Sequence, residues 1–116
     1  RHKLSINVDH LGLMRQGVFG WMWASDCAYR PREFEIELHN RMSPENYTKT
    51  LLHELWHVYQ HVKGLLKDKH NKRLWKGIDH SETDYKNQPW EKQASTMEEY
   101  LFARYSKHLT RYNLSL

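Results

Sequence analysis

A single cysteine, Cys27, excludes an internal disulfide framework. It also fits a reducing compartment, so an intracellular, cytoplasmic location is expected. No run of about 18 apolar residues occurs, which excludes a membrane-spanning helix. The N-terminus carries no signal-peptide pattern, and its start at Arg1 is what a chain trimmed or excised from something larger would show. Internal repeats and low-complexity tracts are missing as well. Neither sign of charge dominates: 18 Lys and Arg against 14 Asp and Glu leave +4, which permits an acidic partner such as nucleic acid without demanding one. What the 116 residues do have is aromatic bulk, five Trp and seven Tyr, enough for the core of one domain covering 1–116.

The first third reads as strands. Leu4, Ile6 and Val8 alternate with polar residues, as do Phe19, Trp21 and Trp23, and the Trp21/Trp23 pair is expected in the core. "REFEIELH" sets Phe34, Ile36 and Leu38 on one face and Glu33, Glu35 and Glu37 on the other, with Pro31 marking a strand start or an edge. "MSPENY" then opens a helix, with Ser43 as N-cap, Pro44 at the first helical position and Glu45 complementing the dipole. Gly64 is its expected stop. From about Lys67 to Gln88 the chain is polar and basic and reads as a long connection. Pro89 starts a second helix, "PWEKQASTMEEYLFARYSKHL". This order predicts an α+β domain: a small, mainly antiparallel sheet of about three strands against two helices.

The chemistry concentrates in "TLLHELWHVYQHVKG". Leu51, Leu55, Val58, Val62 and Leu65 form an apolar stripe at helical spacing, widened by Leu52, Trp56 and Tyr59. His53 and His57 point away from it, so the helix packs with one side and offers both imidazoles on the other. Two histidines four apart can hold one zinc ion. His61 is eight residues from His53, about 12 Å along a straight helix, and is expected to be a polar-face or supporting residue instead. Glu54, following the first histidine, reaches a metal-activated water rather than the metal, the arrangement by which H-E-x-x-H helices support amide hydrolysis. The third ligand must come from elsewhere: His70, His80, Glu91 and, farther off, His108 are the candidates.

"LLHELWHVYQ" followed by "YKNQPWEKQA" resembles the gluzincin-type zinc metallopeptidases, particularly the small single-domain HExxH proteins of phages and prokaryotes. The resemblance implies a zincin-like fold, Zn2+ as cofactor, His53, His57 and Glu91 as ligands, Glu54 as general base, and a peptide or protein substrate. Several gluzincins carry an aspartate four residues after the ligand glutamate to orient a histidine; this chain has Ser95 there. Tyr85 and His80 are the candidates for stabilising the oxyanion or supporting the ligands. The longer metzincin motif is absent, since positions 60 and 63 are Gln60 and Lys63.

Other features have plainer readings. "FEIEL" precedes the histidine helix and is either a peptide-pairing edge strand or an ordinary amphipathic one. The basic run "KDKHNKRLWK" is expected to be a solvated loop, and Cys27 a small buried residue rather than a ligand. Two alternatives stand beside the peptidase reading: a SprT-like protease acting on DNA-associated proteins with a histidine as third ligand, and a catalytically silent metal-stabilised binding module.

Overall fold

The computed structural model describes residues 4–11, 19–26, 31–69 and 71–111. Cys27, His70 and the side chain of His108 lie outside the described residues. The glutamate-rich strand is the middle of a three-stranded sheet. In β3 (Glu33–His39), Phe34, Ile36 and Leu38 are buried and form the main core with Val58 of the following helix. β1 (Ser5–Leu11) pairs with one edge of β3 in parallel, and β2 (Gly20–Ala24) pairs with the other edge antiparallel. The order is β1-β3-β2, so the sheet is mixed rather than mainly antiparallel. β3 has neighbours on both sides and is not an edge. That corrects the reading of "FEIEL" as a peptide-pairing strand: among the described residues the outer strands of this sheet are β1 and β2.

β2 also turns the other way round. Met22 and Ala24 pack on the core, while Trp21 and Trp23 are 38% and 44% exposed on the outer face, where the Trp21 indole N–H donates to Glu37. The cause is the closeness of the helix that crosses β2. A Cβ at Gly20 would lie 2.8 Å from Thr50 Cγ2 and 2.9 Å from Leu38 Cδ2, so the inner face of the strand has no room for a side chain at its start. Leu4 and Ile6 are exposed too, and of the first alternation only Val8 packs against the core.

α1 (Pro44–Val62) starts as its sequence predicts: Ser43 Oγ accepts from the Asn46 N–H at 3.2 Å. It stops at Gly64, whose φ of +76° lets the Leu65 N–H return to the Gln60 carbonyl at 2.9 Å. Leu51, Leu55, Val58 and Val62 pack on the sheet, whereas Tyr59 is exposed and stacks with Trp56.

The basic segment is not a long connection. β4 (Leu66–Lys69), β5 (Lys72–Trp75) and β6 (Ile78–Asp79) form a second, antiparallel sheet in that order. The β5–β6 turn consists of Lys76 and Gly77, both at positive φ, the conformation of a tight hairpin. Leu66 and Trp75 bury themselves against Trp90, making a second small core. A short 3-10 turn at Tyr85–Asn87 leads into α2 (Pro89–Arg111), which lies along α1. The fold is therefore α+β as the element order predicts, with two sheets instead of one. Among the described residues no helix is long and apolar enough to cross a membrane.

Candidate metal centre

Two anchors bring α2 to the histidines. Trp90 is sunk in the second core, and Ala94 is fully buried where the helices touch, so nothing bulky holds them apart. Glu91, between these anchors, faces α1. Its Oε1 lies 3.0 Å from His53 Nε2 and 3.3 Å from His57 Nε2. One ligand atom from each of His53, His57 and Glu91 falls within 4.8 Å of the others, making a group able to hold a metal ion. Glu54, buried on the same helix, is not part of that group, and neither are His61 and His80.

The far sides of both imidazoles are held. His53 Nδ1 lies 2.9 Å from Glu98 Oε1, and because an ionised carboxylate only accepts, the nitrogen donates. His57 Nδ1 lies 2.8 Å from Gln60 Oε1. The Gln60 amide, at 0% exposure, has its NH₂ committed to the Trp90 carbonyl and to Gln93 Oε1, each at 3.0 Å, so its oxygen must face the histidine and His57 Nδ1 must donate. Gln93 Oε1 is fixed in turn by the Trp56 indole at 2.8 Å. With both Nδ1 atoms donating, each imidazole in its neutral form turns an Nε2 lone pair toward the same carboxylate, and in its protonated form an Nε2–H that donates to Glu91. In the neutral form three acceptors face one another, an arrangement that a metal cation among them relieves. The donor set thus fits a metal ion.

The protonation behaviour carries the same imprint. Burial works to raise the Glu91 pKa, but the hydrogen bonds from His53 and His57 outweigh it and hold the carboxyl well below the usual range. For His53, burial opposes a charge, yet Glu91, Glu54 and Glu98 together hold its pKa above the ordinary value. Burial pushes Glu54 upward, with the two histidines only partly offsetting it. The Tyr85 hydroxyl donates to Glu91 Oε1 at 3.2 Å, and desolvation together with that carboxylate pushes its pKa up to about 12.

His53, Glu54, His57, Glu91 and Tyr85 share the wall of a cavity of about 860 Å³, which opens between α1, the β2 edge and the second sheet. This volume is within the range of substrate-binding clefts. Tyr85 sits at its rim, 69% exposed. His80 does not line the cavity; its Nδ1 meets Thr83 Oγ1 at 3.0 Å and its ring edge packs on Trp90. His61 does line it, with its ring tilted against Phe34 and its pKa lowered to about 4 by burial.

Sequence reasoning missed Glu98 and Gln60. Glu98 is seven residues after Glu91, two turns on and on the same face; it makes the contact sought four residues after the glutamate, where Ser95 is exposed. Gln60 is three residues after His57 on α1, a spacing that puts the two on neighbouring turns. Compared with family models, curated proteins and solved structures, the chain has no match.

Proposed function

We propose that the chain is a zinc-dependent peptidase of the gluzincin type, with His53, His57 and Glu91 as ligands and Glu54 as general base. The observation that carries this reading is the common setting of the two imidazoles, each donating from Nδ1 to a held acceptor and each turning Nε2 to Glu91. Two histidines and a glutamate are a donor set that zinc takes in hydrolytic sites. When bound, zinc supplies Lewis acidity, bringing the pKa of a water near 7 and polarising a carbonyl oxygen.

The chain's own residues supply the remaining chemistry. Glu54 is buried beside the histidines on the cavity wall, and a carboxylate made more basic by burial takes a proton from water and returns it to the departing amine more readily. Tyr85 stays protonated at neutral pH, so its O–H can donate to a substrate oxygen that gains charge in the transition state. The β2 edge runs along the same cavity and offers backbone groups against which an extended peptide can align.

Glu54→Gln keeps the shape and removes the base. The zinc-loaded wild type is expected to hydrolyse a mixed peptide library, and Glu54→Gln to lose at least about 100-fold in rate with its metal content unchanged. Loss of metal from Glu54→Gln would make Glu54 a ligand and overturn the roles. A zinc-loaded wild type that cleaves nothing would point to a metal-stabilised binding module.

A further inference from the structure

Away from the metal niche the cavity wall is strongly basic. Arg32, Lys63, Lys67 and Arg73 line it, against one acidic side chain outside the niche, Asp68. Counted with Glu54 and Glu91, the described wall carries four basic and three acidic side chains, and all four basic ones lie outside the niche. The opposite distribution is found on the outer face of the first sheet, where Glu33, Glu35 and Glu37 lie in a row. A cleft lined by one sign of charge concentrates the field inside it and draws in ligands of the other sign.

The basic groups border the niche on the same cavity wall. Lys63 follows His57 by six residues, about 9 Å along the helix axis. Arg73 lies with its guanidinium carbon 5.5 Å from the ring centre of Trp90, the neighbour of Glu91. Asp68 grips Arg73 through two bonds of 2.7 and 2.8 Å, which fixes the guanidinium and offsets its charge. An extended peptide advances about 3.3 Å per residue, so 9 Å corresponds to two or three positions from the metal.

We infer that this cleft selects peptides carrying an acidic side chain two or three residues from the bond to be cleaved, an inference that rests on the peptidase reading. Arg32 and Lys63 meet the carboxylate, and the Asp68–Arg73 pair sets how strong the field is. Lys63 and Asp68 are both exposed and lie outside the metal niche, so each can be neutralised separately.

The test uses zinc-loaded full chain and three matched fluorogenic peptide sets with Asp, Asn or Lys at those positions. Cleavage is read as kcat/KM at low and high salt, and binding of the same peptides is read by anisotropy on zinc-loaded Glu54→Gln. Asp peptides are expected to exceed Asn peptides about tenfold at low salt, with the advantage shrinking as salt screens it. Lys63→Gln should cut that ratio about threefold and Asp68→Asn raise it by a similar factor, the effect of one charge at partly solvated range. Equal cleavage of all three sets overturns the inference while leaving the peptidase reading intact. Asp-selective binding that answers to both variants, with no peptide cleaved by wild type, supports an anion-binding cleft and overturns the peptidase reading. A single-stranded oligonucleotide that displaces the Asp peptides at lower concentration than any peptide would overturn the inference in favour of nucleic acid.

Discussion

The two helices that carry the candidate metal ligands are held in different ways. α1 is enclosed on both sides: Val58 and its apolar neighbours lie on the first sheet, and Glu54, His57 and Gln60 are buried on the other flank. α2 is secured at its start, where Trp90 and Ala94 are buried, whereas Tyr100 and Tyr105 farther along are exposed. His53 and His57 are thus positioned by the main core of the fold, and Glu91 by a local anchor built from the second sheet. The candidate niche joins a half packed on the main core to a half secured by Trp90 and Ala94 at the start of α2.

The largest expected effect comes from removing that anchor. Trp90→Ala should cost about 3–5 kcal/mol of stability and weaken zinc binding, read by urea unfolding and metal titration of the same sample. Stability lost with zinc affinity intact would mean that α2 is placed by its contact with α1 alone.

A smaller and more selective change tests how the imidazoles are held. Glu98→Ala should lower zinc affinity about 10–100-fold, with little change in metal-free stability, because the Glu98 side chain is partly exposed and its bond is to the His53 ring. An unchanged affinity would show that α1 orients His53 without help from α2, deepening the asymmetry between the helices.

The smallest effect concerns the half packed on the main core. His61 packs on Phe34 with its pKa lowered from 6.5 to about 4, so the unfolded chain takes up its proton first as the pH falls. Its contribution is complete above about pH 6.5 and is lost progressively toward about pH 4, on the order of 1–3 kcal/mol. His61→Phe should keep the metal and flatten that part of the pH–stability curve of the metal-free protein, measured by denaturant titration at stepped pH. Metal loss in His61→Phe would place His61 in the niche and contradict the helix geometry.

Much of the α1 side was legible because it follows simple periodicities. The Ser43 cap, the buried face of β3, the HExxH spacing and the Pro89 start of α2 are all local patterns, and local patterns survive into the fold. Glu91 was legible as one of four candidates by residue type, singled out by the resemblance of "YKNQPWEKQA". The second sheet was not, since its strands are four, four and two residues long and mostly charged; Leu66, Leu74, Trp75 and Ile78 were its few apolar cues. Asn71 and Gly77, both at positive φ, were the turn signals hidden in a run that otherwise resembles a solvated loop. The parallel pairing of β1 with β3 depends on strand order, which alternation does not encode. Trp21 and Trp23 were misread because hydrophobicity alone does not say which face of a strand meets a helix too close to admit an indole.

That closeness has a mechanical meaning. At Gly20 the backbone of β2 comes nearly against Thr50 of α1 and Leu38 of β3, with no side chain of its own as a spacer. Gly20, Met22 and Ala24 line the same cavity as the histidines on that helix. At this end of β2 one wall of the cleft is therefore wedged between the Thr50 and Leu38 methyl groups, much as a drawer is stopped by its runners. Even one methyl group at position 20 would act as a shim, and the cleft would have to be recut around it.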